Sequence, residues 1–153
     1  MFARLICFAA TVALMMSNPA HAQPTRYGTY YDETIVIDCP AGASCAAVFS
    51  QLPSDKLTVL HHVACNVVSS APARMATLRV STTSSAANGM TRVMPMPVGP
   101  SVTSGGSYTS NTTLHADYLV GQSRFPFVEF ATTQTGDILM QCTLEGELID
   151  PIP

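Results

Sequence analysis

The sequence predicts an all-β protein: an antiparallel β-sandwich or jelly roll of about eight strands, held by two disulfides. Apolar and polar residues alternate with period two along most of the chain, and Gly, Pro, Asn and Ser separate the alternating segments. No segment repeats apolar residues at the 3.6-residue spacing of a helix. A sheet closed on itself is the second architecture that fits this pattern.

The composition is that of one folded domain that does not bind nucleic acid. The chain has 153 residues, a formal net charge of −3, 47% hydrophobic residues and 11% charged residues. A chain this apolar folds rather than remaining disordered. A nucleic-acid-binding surface needs clustered Lys and Arg, which an acidic balance does not favour. We therefore expect a single domain over residues 23–153 and no nucleic-acid partner.

The N-terminal segment, residues 1–22, has the features of a cleaved signal peptide. A short basic start precedes the uncharged apolar run 5–16, and Ala20 and Ala22 form a small-x-small cleavage pattern before Gln23. As a helix, the apolar run would span about 18 Å, which is short of the roughly 30 Å hydrocarbon core of a bilayer. We expect a periplasmic or secreted bacterial protein whose mature form does not span the membrane.

The alternating segments give the following strands in chain order. They are residues 33–38, 46–50, 56–69, 75–82, 90–98, 112–120, 124–132 and 137–149. Residues 41–52 fit a helical turn as well as a strand. Pro95 and Pro97 each remove a backbone donor, which places the fifth strand at a sheet edge. Residues 23–32 form an N-terminal arm expected to lie over the sandwich.

Four cysteines remain after signal cleavage, and they predict two disulfides. In a small exported chain an even number of cysteines indicates a disulfide framework. We expect Cys39 to bond Cys45, because the Pro- and Gly-containing loop between them turns readily. We expect Cys65 to bond Cys142, because each lies on the apolar face of its own strand. Zinc ligation is disfavoured, since the cysteines lack the two-residue spacing of a zinc site.

The seventh strand carries apolar residues on both faces. Phe125 and Phe127 share one face, while Val128 and Phe130 share the other. Either a bulge changes the register here or the strand is buried on both sides. Burial on both sides of a strand in so small a domain would favour a homo-oligomer.

The histidines are the main candidates for catalysis. His61 falls on the apolar face of its strand and is expected in the core, while His62 falls on the opposite face. His115 and Asp117 share a solvent-facing side and resemble a general base with an orienting carboxylate. No nucleophile motif accompanies them. We therefore assign no catalytic residue and favour a non-enzymatic function.

Metal binding is the alternative function. Met90, Met94 and Met96 share one strand face, and thioethers are soft ligands for Cu(I), although such methionines more often fill gaps in a core. An envelope protein that binds copper or zinc, or a hydrolase, would use His61, His62 and His115. This alternative predicts that His61 or His62 lies close to His115 in space and is open to a cleft. The leading interpretation assigns no metal ligand and no cofactor.

Tyrosines are the strongest candidates for a binding surface. The chain has no Trp, and Tyr27, Tyr30, Tyr31 and Tyr108 fall in segments expected to be irregular. Tyrosine combines an apolar ring with a polar tip, which suits a glycan or a protein partner. The leading hypothesis is an exported, non-enzymatic β-sandwich that binds a protein or glycan partner at the cell envelope. A structural subunit of an extracellular assembly is the second alternative.

Overall fold

The computed structural model describes residues 23–86 and 89–151, with side chains omitted at 89–91, and the predicted signal peptide lies outside these residues. The described chain is all-β and antiparallel, as predicted, and contains eight strands. Within the described ranges we find no helix with the length and apolar character needed to cross a membrane.

The strands differ from the predicted segments mainly in how they are joined. They are β1 (Thr25–Tyr27), β2 (Tyr30–Val48), β3 (Leu57–Ser69), β4 (Ala73–Ser81), β5 (Gly89–Met96), β6 (Val102–Ser104), β7 (Ser107–Val120) and β8 (Phe125–Ile149). The long strands β2 and β8 each unite two predicted strands, so residues 41–48 continue a strand rather than form a helical turn. The short strands β1 and β6 were not predicted.

The sheet folds into two layers because β2 and β8 run through both. Residues 30–39 of β2 pair with the last part of β8, and after register shifts residues 44–48 pair with the first part of β8. The first part of β8 also pairs with β4, whereas its last part pairs with β3. The long layer therefore contains β1, β2, β8, β3, β7 and β6, and the short layer contains β5, β4 and the adjoining parts of β8 and β2.

Strand β5 lies at the edge of the short layer, as its prolines predict. It pairs only with β4 among the named strands. Beyond its end, Val98 forms an isolated bridge with Thr112, and the backbone nitrogen of Gly99 donates to the carbonyl of Asn111 at 2.8 Å. These contacts with β7 bring the two layers together along this side.

The two disulfides have the predicted pairings and occupy different places in the fold. Cys65 and Cys142 lie opposite each other on β3 and β8, and both are buried in the core between the layers. Cys39 and Cys45 bracket the register-shifted segment of β2, where Ala41 has a φ of 54°. The Cys65–Cys142 bond therefore joins neighbouring strands of the long layer within the core, and the Cys39–Cys45 bond closes the corner between the layers.

A bulge in β3 changes which side chains point inward. The register shifts between Leu60 and His62 against both neighbouring strands, so Leu60 and Val63 are both buried. His61 and His62 consequently both point away from the core. The prediction that His61 is a core residue is therefore wrong, because strict alternation fails at the bulge.

Two-sided burial, not a bulge, explains the aromatic segment of β8. The register with β4 is regular from Phe125 to Ala131. Val128 and Phe130 belong to the core, whereas Phe127 is buried on the opposite face of the same strand. A single chain accounts for this burial, so the predicted homo-oligomer gains no support from it.

Candidate functional site

A groove crosses the long layer on the side that faces away from the core, which we call the outer face. Its volume is about 480 Å³. It crosses the middle of β7, β3 and β8. The lining residues are Ala64, Cys65, Asn66, Asn111, Thr113, Gln141 and Thr143. None of these described lining residues is charged.

Three amide side chains form a row across the groove. Asn66 on β3 lies opposite Asn111 on β7 and opposite Gln141 on β8. All three are exposed, and among the described residues their side chains make no intramolecular hydrogen bond. Two strand spacings separate the ends of the row, a span of about 10 Å. Each amide presents two N–H donors and a carbonyl acceptor to whatever occupies the groove.

A second row, of hydroxyls, borders the amides. Ala64 lies between Thr113 on β7 and Thr143 on β8. The Thr143 hydroxyl is 2.8 Å from the Thr34 hydroxyl of β2 and shares a hydrogen bond with it. Because Ala64 carries only a methyl group, it leaves the space between the two threonine side chains open.

The histidine row follows one step further along the strands. His62 faces His115 on one side and Glu145 on the other. The two imidazole rings stack with centroids 4.4 Å apart and an interplanar angle of 14°. His62 Nδ1 lies 3.5 Å from Glu145 Oε2. His62 therefore has the proximity to His115 that the alternative function requires.

The bulge also changes the partner of Asp117. His61 Nδ1 lies 2.7 Å from Asp117 Oδ1, and both side chains are open to solvent. The expected association of His115 with Asp117 is replaced by this cross-strand pair. A histidine oriented by a carboxylate can act as a general base.

Among the described residues, the histidines and methionines that could bind a metal are not arranged around a common point. In residues 23–86 and 89–151, no group of three His, Cys, Asp or Glu side chains is placed to hold a metal ion. The rings of His62 and His115 lie face to face, so their nitrogens do not converge on one point. Met96 is buried and Met94 packs against the core, while the Met90 side chain lies outside the described set.

The four candidate tyrosines occupy different environments. Tyr27 and Tyr30 lie opposite each other on the β1–β2 hairpin and are 74% and 44% exposed. They share the outer face with the groove, because directly opposite residues point to the same side. Tyr108 is half-buried near the start of β7, opposite the buried Ser69. The predicted irregular arm is thus largely a hairpin.

Tyr31 is fully buried, so its assignment to the binding surface is wrong. Its hydroxyl donates to Glu33 Oε2 at 2.7 Å. The same carboxylate accepts from the Ser50 backbone nitrogen at 3.0 Å and the Ser50 hydroxyl at 2.8 Å. Burial, together with the neighbouring Glu33 carboxylate, raises the pKa of Tyr31. This network, which the sequence analysis missed, anchors the segment after β2 to its beginning.

No protein-family model matches this chain, and the search of curated proteins finds no similar one.

Proposed function

We propose that this protein is an exported binding protein that holds a neutral glycan in the groove of its outer face. The observation that carries the proposal is the exposed row of Asn66, Asn111 and Gln141 on three adjacent strands. Side-chain amides donate and accept hydrogen bonds at once, which matches the paired hydroxyls of a sugar ring. A row about 10 Å long can accommodate more than one ring.

The surroundings of the amide row favour a neutral ligand over a charged one. Thr113 and Thr143 add hydroxyls, and the described lining includes no charge that would select an ionic ligand. Tyr30 lies on the same face, four positions along β2 from Thr34, or about 13 Å. Tyr27 beside it adds a second exposed ring. A longer chain that leaves the groove along β2 would reach these rings, whose apolar faces suit sugar stacking.

Binding, rather than turnover, is the role that these groups support. Amides and hydroxyls hydrogen-bond a ligand but do not exchange protons with it near neutral pH. The Cys65–Cys142 bond lies under the groove and fixes β3 against β8. A rigid groove loses little conformational entropy when it is occupied, which favours binding.

The predicted signal peptide and the two disulfides support export. Two disulfides are consistent with an oxidising compartment outside the cytosol. We place the protein in the periplasm or outside a bacterial cell, where polysaccharides are abundant.

A glycan panel tests the proposal directly. The purified protein would be screened against neutral oligomers of glucan, mannan and chitin, and against the acidic polymers alginate and heparin. We expect binding to at least one neutral oligomer and no preference for acidic polymers. Binding to none of the neutral oligomers, or capture only by acidic polymers, would contradict the proposal. Specific capture of an envelope protein instead would favour a protein partner.

Binding of Zn²⁺ or Cu²⁺ is a second candidate function. It is favoured by the order His115, His62 and Glu145 across three neighbouring strands. Imidazole and carboxylate are ordinary ligands of both ions. As the rings stand, their nitrogens do not converge, so this candidate requires both rings to rotate until one nitrogen of each faces a shared ion, with the Glu145 carboxylate as a third ligand.

A further inference from the structure

A second cleft, which shares no residue with the groove, lies where β5 and β4 meet the end of β7 and the turn into β8. Its volume is about 230 Å³, the scale of a small organic molecule. The lining residues are Val80, Arg92, Tyr118, Leu119, Val120, Gly121 and Arg124. Two arginines and an apolar wall therefore line the same space.

The cleft concentrates positive charge in an acidic protein. The chain has seven Lys and Arg residues against ten Asp and Glu residues. Arg79 forms an ion pair with Glu129 at 2.6 Å, and Lys56 forms one with Asp150. Within the described residues neither Arg92 nor Arg124 has a carboxylate partner. Two unneutralised guanidiniums on one cleft create a local site for an anion.

Arg92 is held in place by its neighbours. Its Cζ atom lies 4.1 Å from the centroid of the Tyr118 ring, and its Nη1 donates to the Leu119 carbonyl at 2.9 Å. The Tyr118 hydroxyl donates in return to the Arg92 carbonyl at 3.1 Å. A guanidinium has five N–H donors, so most remain free after these contacts. An orientated guanidinium is suited to paired hydrogen bonds with a carboxylate.

We propose that this cleft binds a small organic carboxylate with an apolar body. The guanidiniums of Arg92 and Arg124 hold the carboxylate. Val80 and Val120, which are buried side chains at the cleft wall, contact the apolar body. An inorganic anion would contact the arginines but not the apolar wall. An alcohol of the same shape as the carboxylate would contact the apolar wall but carry no charge for the arginines to bind.

The test uses benzoate and hexanoate as probes. Each probe would be titrated into the purified protein while the chemical shifts of the backbone amides are recorded by NMR. We expect the signals of Gly121 and Arg124 to shift. The variants Arg92→Lys and Arg124→Gln should each weaken the binding of benzoate at least about tenfold. Arg92→Lys keeps the positive charge but loses the paired N–H donors, whereas Arg124→Gln loses the charge. Arg74→Gln, at an exposed arginine of β4, is the matched control and should leave binding unchanged.

Uncharged benzyl alcohol and inorganic phosphate complete the comparison. Both should bind at least about tenfold more weakly than benzoate. Equal binding of benzoate and benzyl alcohol, or equal binding by Arg124→Gln and the unaltered protein, would overturn the proposal. Phosphate binding as tight as benzoate would also overturn it. A groove variant, Ala64→Arg, should leave benzoate binding intact, which separates this result from the glycan proposal.

Discussion

Cys65 and Cys142 are bonded directly beneath the groove, opposite each other on neighbouring strands with Cα atoms 4.1 Å apart. The residues on either side of each cysteine point outward and line the groove: Ala64 and Asn66 on β3, and Gln141 and Thr143 on β8. One covalent bond in the core therefore fixes two of the three strands that build the candidate site.

Removal of the Cys65–Cys142 bond should lower the free energy of unfolding more than removal of the Cys39–Cys45 bond. The chain-entropy relation gives about 4.5 kcal/mol as the upper loss for Cys65→Ala with Cys142→Ala, and about 2.4 kcal/mol for Cys39→Ala with Cys45→Ala. The long loop loses more because its closure restricts the unfolded chain more. Urea unfolding of both double variants measures the difference. A larger loss in the Cys39–Cys45 variant would contradict the assignment of the core bond.

Tyr31→Phe should reduce stability at neutral pH by about 1–2 kcal/mol, because Glu33 loses a buried donor. It should also change the pH dependence. The raised pKa of Tyr31 means that the folded state keeps its proton above pH 10.0, the ordinary value, where the unfolded state loses it. The stability from this group is therefore complete below pH 10.0 and declines as the pH rises further.

Urea unfolding at pH 8, 10 and 11 would check this difference. We expect the loss of stability above about pH 10 to be smaller in Tyr31→Phe than in the unaltered protein. Tyr27→Phe, at an exposed ring, is the control and should follow the unaltered protein. A Tyr31→Phe variant with an unchanged alkaline decline would show that Tyr31 does not supply it.

Gly146→Ala should destabilise the protein because β3 lies against this glycine at the bulge. A Cβ atom at Gly146 would collide with the carbonyl oxygen of Val59, whereas at Gly121 it would meet only the Arg124 side chain at 4.0 Å. We expect a loss of about 1–3 kcal/mol for Gly146→Ala, and a much smaller change for the control Gly121→Ala. Thermal or urea unfolding gives both values, and equal stability of the two variants would show that β3 is not closely packed there.

Local alternation explains why the class and the disulfides were predictable. It places Cys65 and Cys142 on apolar faces without any knowledge of strand order. It could not predict the orientation of His61, because the bulge lies where β3 packs against Gly146 of β8. That contact joins residues far apart in the sequence, and nothing in the segment around His61 reveals it.

The groove was beyond prediction for a similar reason. Asn66, Asn111 and Gln141 are distant along the chain and come together only through the register of three strands. A usable signal was present, since each amide occupies an outward position in its strand. The sequence does not give the pairing register of the strands, which is needed to place the three amides in one row. The burial of Tyr31 was missed because the β1–β2 hairpin, which turns at Gly28 with a φ of +63°, was interpreted as an irregular arm.

The metal-binding candidate predicts a specific dependence on the stacked histidines. In calorimetric titration with Zn²⁺, His62→Ala and His115→Ala should each weaken binding at least about tenfold. His61→Ala is the matched control, because His61 pairs with Asp117 outside the row. An equal loss in all three variants, or absence of Zn²⁺ binding by the unaltered protein, would remove this candidate.

Individual contributions to glycan binding should follow the amide row. Asn66→Ala removes the central amide while leaving the fold's buried residues unchanged. The loss of about 1 kcal/mol of net hydrogen bonding corresponds to about fivefold weaker binding. Asn111→Ala should give a similar loss. Full affinity in both variants, measured by calorimetry with the best oligomer of the panel, would show that the amides do not contact the glycan.

The most direct measurement is calorimetric titration of Ala64→Arg with cellohexaose, laminarihexaose, mannohexaose and chitohexaose. The long side chain would cross the groove floor from an outward position, and Ser84→Arg would add the same charge at an exposed position between β4 and β5, away from the outer face. At least one oligomer should bind the unaltered protein and Ser84→Arg with a Kd below about 1 mM, and Ala64→Arg at least about tenfold more weakly. Unaltered affinity in Ala64→Arg would contradict the groove as the glycan site.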